Sequence, residues 1–155
     1  CSTRNSLITF DDIINTTGIC IPVPNGYGRL NWQNVLVVNV VNYSTLNTGY
    51  TKGVVSPPYL VFNEYGNSMA ITNTATNAFT INSFYSCAAW YDNTRLAMIG
   101  TRSGTVLYTK TVELFKQKRT FVELNWSDID SISFNSSCDW CDTSHITMDN
   151  LCVTF

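Results

Sequence analysis

The sequence predicts an all-β fold, an antiparallel β-sandwich of the jelly-roll type with about ten short strands. Apolar and polar residues alternate with a period of two along much of the chain, and turn-forming pairs such as Asn25-Gly26 and Ser103-Gly104 separate the alternating segments. No segment shows a convincing helical period. With 155 residues, the chain is expected to form a single domain, residues 1–155.

The residues typical of strands, chiefly Val, Ile, Thr, Tyr and Phe, are concentrated in separate short segments. The alternation is clearest in Thr105–Val112 and Ser131–Phe134, where every second residue suits a buried face. The other predicted strands, in chain order, are Leu7–Phe10, Val35–Val41, Tyr59–Phe62, Met69–Thr72, Phe79–Ile81, Phe84–Trp90, Arg95–Thr101, Arg119–Leu124 and Ile146–Phe155.

Cysteines and glycosylation sequons indicate a secreted, extracellular glycoprotein. The four N-x-S/T sequons are at Asn15, Asn42, Asn125 and Asn135. Asn125 is expected to be the least occupied, because its neighbour Trp126 suits the core. Disulfides are predicted at the six cysteines, and spacing alone leaves all 15 pairings open; these are Cys1, Cys20, Cys87, Cys138, Cys141 and Cys152.

Low charge excludes several functions. Charged residues make up 13% of the chain and the net charge is −2, so no electrostatic field attracts nucleic acid or anionic lipid. No apolar stretch approaches the roughly 20 residues of a membrane span. Catalysis is not predicted either, because His145 is the only histidine, no serine lies in a Gly-x-Ser-x-Gly motif and no pair of carboxylates is placed to face across a cleft.

Acidic motifs near both ends of the chain suggest a metal site. Asp11 and Asp12 follow the first strand, while Asp149 and Asn150 interrupt the last one, and at both places the alternation changes phase. A phase change requires a β-bulge. If the first and last strands are neighbours, these oxygen ligands suit a structural Ca²⁺ ion. The alternative is that they bind turn amides or lie in water.

Five longer motifs stand out in the chain: Ile21–Trp32, Gly53–Gly66, Phe79–Trp90, Phe121–Phe134 and Thr147–Phe155. Together they resemble a secreted β-sandwich domain of fungi, oomycetes and other protists, and more distantly the jelly-roll carbohydrate-binding modules. In those modules a calcium ion often joins the first and last strands, so the resemblance implies Asp11, Asp12 and Asp149 as metal ligands. It implies no activity. Four cysteines depart from the family pattern and suggest additional disulfide cross-links: Cys87, Cys138, Cys141 and Cys152.

Aromatic residues near predicted loops are candidates for stacking on a sugar ring. Tyr27 and Trp140 are the better candidates because they lie in loops, whereas Trp90 and Trp126 follow strand patterns and are expected in the core. Trp140 lies within Cys138-Asp139-Trp140-Cys141, whose spacing suits a redox or half-zinc motif. Without a helix after it or further ligands, a structural loop bridge or two separate bridges are favoured.

These observations favour a non-enzymatic structural or adhesive module that assembles with copies of itself or with other extracellular proteins into a filament, coat or matrix. The surface has little charge to keep sheet edges apart. Cys1–Phe10 is the predicted assembly segment, since an extended end can add a strand to a neighbour's sheet. The alternative is a carbohydrate-binding module whose partners are glycans.

Overall fold

The computed structural model describes residues 1–13, 20–43, 47–75, 77–141 and 143–155. One short helix, α1 (Gly49–Gly53), lies within them. Three 3₁₀ turns span Tyr27–Arg29, Val40–Tyr43 and Glu64–Gly66. The twelve strands of the described residues are β1 (Ser6–Ile8), β2 (Ile21–Pro22), β3 (Leu30–Gln33), β4 (Val35–Asn39), β5 (Tyr59–Asn63), β6 (Met69–Asn73), β7 (Phe79–Ala88), β8 (Thr94–Arg102), β9 (Thr105–Leu114), β10 (Thr120–Ile129), β11 (Ser131–Ser137) and β12 (Ile146–Thr154).

The strands form two antiparallel sheets that pack as a β-sandwich, as predicted. The seven-stranded sheet has the order β10-β7-β12-β5-β4-β2, with β1 also paired to β12. The five-stranded sheet has the order β3-β6-β11-β8-β9. Alternating residues of both sheets point into a shared core, where the rings of Phe84 and Phe134 meet edge to face with centroids 5.7 Å apart.

The first and last strands are neighbours, which confirms the predicted pairing of the chain ends. Ser6 pairs with Val153 and Ile8 with Leu151. The register of β12 against β7 shifts between Asp149 and Cys152, and Asn150 takes a positive φ of 50°. This irregularity is the β-bulge that the phase change in the sequence predicts.

A second apolar cluster lies on the outer face of the seven-stranded sheet. Leu36 pairs with Phe62 and Val38 with Leu60, so these side chains share the face opposite the central core. The buried residues of this outer cluster are Val38, Val40, Tyr50, Leu60, Phe62 and Ala89. Burial on both faces explains why β4 and β5 are almost continuously apolar instead of alternating.

Helix α1 covers this outer cluster, and the sequence does not predict it. The helix begins at Gly49, whose main-chain N–H donates to Ala89 O at 2.8 Å. A Cβ at Gly49 would lie 1.8 Å from Ala88 O, so only glycine permits this approach of the helix to β7. Five residues with a glycine at each end have weak helical propensity, so tertiary contact stabilises the helix.

Candidate functional site

An open pocket of about 300 Å³ lies against the outer cluster, and we call it the aromatic pocket. The outer faces of β4 and β5 contribute Leu36 and Phe62. The remaining lining residues come from the segments around the ends of the strands and from α1. They are Cys20, Tyr43, Tyr50, Glu64, Tyr65, Trp90 and His145.

Tyr50 of α1 is the central aromatic residue of this pocket. Its ring lies 5.4 Å, centroid to centroid, from each of three neighbours: it meets Phe62 and Trp90 edge to face and Tyr43 at a tilt. Such geometries favour aromatic pairs beyond the area they bury. Burial raises the pKa of the Tyr50 hydroxyl, and the nearby Tyr43 and Cys20 add to the shift, so this hydroxyl stays protonated and can donate.

His145 is the polar centre of the pocket. Its Nδ1 lies 3.0 Å from the hydroxyl oxygen of Tyr50 and 3.3 Å from the indole Nε1 of Trp90. An indole N–H can only donate, so Nδ1 accepts and the neutral ring carries its proton on Nε2. That Nε2 is buried and has no hydrogen-bond partner among the described residues. Desolvation lowers the pKa of His145, which favours the neutral ring.

The rim is formed by the turn after β5. Tyr65 has a φ of 51°, followed by Gly66 at 75°, and this left-handed pair turns the Tyr65 ring outward, leaving it 76% exposed. Trp90 on the opposite segment is 38% exposed. The pocket thus combines accessible aromatic rings with a carboxylate, Glu64, and the hydroxyl of Tyr43 in its lining.

The predicted calcium ligands do not all face one point. Asp149 is fully buried, and its two carboxylate oxygens accept from the N–H groups of Val55, Ser56 and Asn150 at 2.6–3.0 Å and from the Ser56 hydroxyl at 3.3 Å. Asp11 accepts from the N–H of Tyr59 at 3.2 Å. Burial raises the pKa of Asp149 to about 6, and the charge of Asp11 contributes to this increase.

Asp12 lies in a separate cleft with Tyr27, whose hydroxyl donates to Asp12 Oδ1 at 2.5 Å. This cleft of about 460 Å³ is lined by Ser6–Thr9, Asp12 and Gly26–Arg29. Across the residues that the structure describes, no group of three or more His, Cys, Asp or Glu side chains is placed to hold a metal ion. Calcium, whose remaining ligands would be Asn150 and main-chain oxygens, stays a prediction.

The two candidate sugar-binding residues lie outside the aromatic pocket. The Tyr27 ring is half-buried and packs against Phe10 and Trp32, with centroids 5.9 and 6.4 Å away. Trp140 is 92% exposed on the Cys138–Cys141 loop. Of the two tryptophans expected in the core, Trp126 is buried, but Trp90 follows the end of β7 and lines the aromatic pocket.

Four of the six cysteines form disulfides. Cys1 is bonded to Cys152, which joins the two ends of the chain, and Cys138 to Cys141, which closes the predicted loop bridge. The prediction of disulfides at Cys20 and Cys87 is wrong, since both are free thiols. Cys20 lies in the aromatic pocket, whereas Cys87 is buried on β7 and its thiol donates to the carbonyl of Phe115 at 3.0 Å.

The segment predicted for assembly is used within the chain. Residues Ser6–Ile8 pair with β12, and Cys1 is held by its disulfide.

Of the glycosylation sequons, Asn42, Asn125 and Asn135 are exposed, and Asn15 lies outside the described residues. None of the helices described here is both long and apolar enough to cross a membrane.

Sequence reasoning missed Tyr43, Tyr50 and Glu64 as site residues. Tyr50 and Tyr43 come from a five-residue helix and a 3₁₀ turn, neither of which has a periodic pattern. The available signal was a concentration of aromatic residues beside glycines, at Gly49-Tyr50 and Tyr65-Gly66. Glycines beside large side chains allow the close approaches and left-handed turns that this pocket uses.

Two similar solved structures share the β-sandwich fold of this chain. The chain matches no family model and no curated protein. It is similar to the K2 cleaved adhesin domain of Lys-gingipain (12% identity, 97% of this chain and 99% of that one, TM-score 0.53). It is also similar to the K1 adhesin domain of Lys-gingipain from Porphyromonas gingivalis W83 (10% identity, 97% of each chain, TM-score 0.52). TmCBM61, solved in complex with β-1,4-galactotriose, matches at 12% identity over 84% of this chain and 93% of that one, with a TM-score of 0.47. At these identities, the two adhesin domains show the β-sandwich fold alone.

Proposed function

We propose that the protein is a non-catalytic extracellular binding module that holds a sugar ring in the aromatic pocket. The observation that carries this proposal is the pairing of two accessible rings, Tyr65 and Trp90, with polar groups in one open cavity. The apolar face of a pyranose stacks on such rings, while its hydroxyls bind carboxylate, hydroxyl or imidazole groups. Glu64 and Tyr43 supply such groups. Adhesin domains use the same sandwich fold, which accords with a role in adhesion.

A glycan array tests this proposal, with two tyrosines as a matched pair. Tyr65 lines the pocket, whereas Tyr91, the neighbour of Trp90 in sequence, is also exposed but does not line it. We expect the wild-type protein and the Tyr91→Ala variant to bind the same glycans and the Tyr65→Ala variant to lose them. Equal binding by all three proteins, or no binding by any of them, would reject the pocket as the sugar site.

Self-association is the second candidate, and β9 is the feature that favours it. This ten-residue strand ends the five-stranded sheet, pairs with β8 alone among the described strands, and exposes Val106 and Leu107. An exposed apolar edge strand is a template for pairing with another chain. Light scattering at increasing protein concentration tests it: growth beyond the monomer mass that a Val106→Lys variant prevents supports assembly, and a constant monomer mass opposes it.

A further inference from the structure

The further inference rests on the proposed function and concerns its regulation. Two donors, the Tyr50 hydroxyl and the Trp90 indole N–H, converge on the single nitrogen Nδ1 of His145. The indole cannot accept a hydrogen bond, and an imidazolium has no acceptor nitrogen. The contact between Trp90 and His145 therefore exists only while the imidazole is neutral.

We propose that His145 is a positioning residue that makes sugar binding in the aromatic pocket pH-dependent. In its neutral form it holds the Trp90 ring beside Tyr50, where the ring forms one wall of the pocket. Protonation at Nδ1 places two N–H donors, the imidazolium and the indole, against each other. The indole then keeps only the Tyr50 hydroxyl as an acceptor, and the ring shifts from this position. The binding wall is then incomplete, and the affinity for the sugar falls.

The surroundings of His145 favour the neutral ring and leave it able to titrate. Phe62 packs against the imidazole with ring centroids 5.6 Å apart. The titratable groups that line the pocket with it are Cys20, Tyr43, Tyr50, Glu64 and Tyr65. Of these, Glu64 is the only carboxylate. Desolvation lowers the pKa of His145, which favours the neutral imidazole. A bound sugar removes more water from the ring and disfavours protonation further.

The direction of the pH effect follows from linkage. The ligand binds the neutral form better, so the pKa of His145 is lower in the complex than in the free protein. The affinity for the sugar is highest above the pKa that His145 has in the free protein. Below that pKa the affinity falls about tenfold per pH unit, until the pH reaches the pKa that His145 has in the complex. The protein would therefore bind at neutral pH and release the sugar as the pH falls through the lowered pKa of His145.

The indole N–H signal of Trp90 in NMR spectra of the free protein tests the coupling without any ligand. The chain has four tryptophans, and the signal lost in a Trp90→Phe variant identifies Trp90. We expect this signal to shift in one titration step as the pH falls from about 7.5 through the lowered pKa of His145. In a His145→Asn variant the amide oxygen replaces Nδ1 as an acceptor that does not titrate, so the signal should stay constant. A Trp90 signal that does not move in the wild type, or that moves equally in His145→Asn, would overturn the proposal.

Binding at two pH values completes the test, with the array glycans as probes. We expect the wild type to bind about tenfold more weakly at one pH unit below the midpoint of the Trp90 titration than at about pH 7.5, and His145→Asn to bind equally at both. Pocket-dependent binding with no pH effect would reject the switch and keep the proposed function. Failure to bind any glycan, together with a titrating Trp90 signal that His145→Asn abolishes, would reject the proposed function and keep the coupling of Trp90 to His145.

Discussion

Asn63 binds the main chain on both sides of His145. Its side-chain amide donates to the carbonyl of Ser144 at 3.0 Å, and its oxygen accepts from the N–H of Ile146 at 2.7 Å. The amide also donates to the Ser136 hydroxyl at 3.0 Å, and the residue is only 1% exposed. Because Asn63 is the last residue of β5, it places His145 next to the sheet face that contributes Phe62 to the pocket.

Removing this amide should destabilise the fold. In an Asn63→Ala variant the buried N–H of Ile146 loses its acceptor, and an unsatisfied buried group costs about 1–3 kcal/mol. The half-buried Asn82, which donates to Thr154 at 2.9 Å, provides the control. Urea unfolding should show a clearly larger loss for Asn63→Ala than for Asn82→Ala, and equal losses would show that Asn63 does not anchor the segment.

The two disulfides should differ in their effect on stability. Cys1–Cys152 spans 151 residues of chain and Cys138–Cys141 spans 3. A longer closed loop removes more entropy from the unfolded chain, so losing the first bond is expected to cost about 2–5 kcal/mol and losing the second less. Guanidinium unfolding of the paired alanine variants measures both costs. A larger loss from Cys138→Ala/Cys141→Ala would contradict the prediction.

Asp149 should make stability fall as the pH rises. Its pKa is about 6 in the folded protein because of burial, above the ordinary value of 3.8. The folded state therefore binds the proton of Asp149 more tightly than the unfolded state does. The protonated carboxyl adds up to about 3 kcal/mol to the free energy of unfolding. This contribution is complete below about pH 4 and is lost as the pH rises through about 6. The lowered pKa of His145 acts in the opposite direction, because its contribution is lost on acidification.

A background variant separates the two effects. Urea unfolding of His145→Asn at about pH 4 and about pH 7 isolates the carboxyl, and adding Asp149→Asn should reduce the pH dependence. An unchanged difference between the two pH values would show that Asp149 does not titrate in this range.

Thermal unfolding of the protein tests whether Asp11 and Asp149 bind a calcium ion. An ion that binds only the folded state raises the melting temperature by mass action, so protein in excess chelator should melt lower than protein in excess calcium. Asp149→Asn should abolish the difference. Identical melting curves would leave the observed hydrogen bonds to Val55 and Ser56 as the role of this carboxylate.

The sequence predicted the sandwich well because alternation reports directly on burial in two-faced strands. β11 follows its pattern, and the phase change at Asp149 correctly predicted a bulge. β9 forms a strand as predicted, but Thr105–Val112 are not buried in it, because it is the edge strand of its sheet. The aromatic pocket was not predicted, because it depends on contacts distant in the chain. Tyr50 reaches His145 through the close approach of Gly49 to Ala88, and no local pattern encodes that approach.

Isothermal titration of one array-selected glycan tests sugar binding in the aromatic pocket most directly. Four variants are compared after equal melting temperatures show that each is folded: Tyr65→Ala and Trp90→Ala in the pocket, and Tyr27→Ala and Trp140→Ala outside it. We expect the two pocket variants to bind at least about tenfold more weakly than the wild type and the other two to bind normally. Normal binding by Tyr65→Ala and Trp90→Ala, with loss in Tyr27→Ala or Trp140→Ala, would place the sugar at the sites predicted from sequence and contradict the pocket.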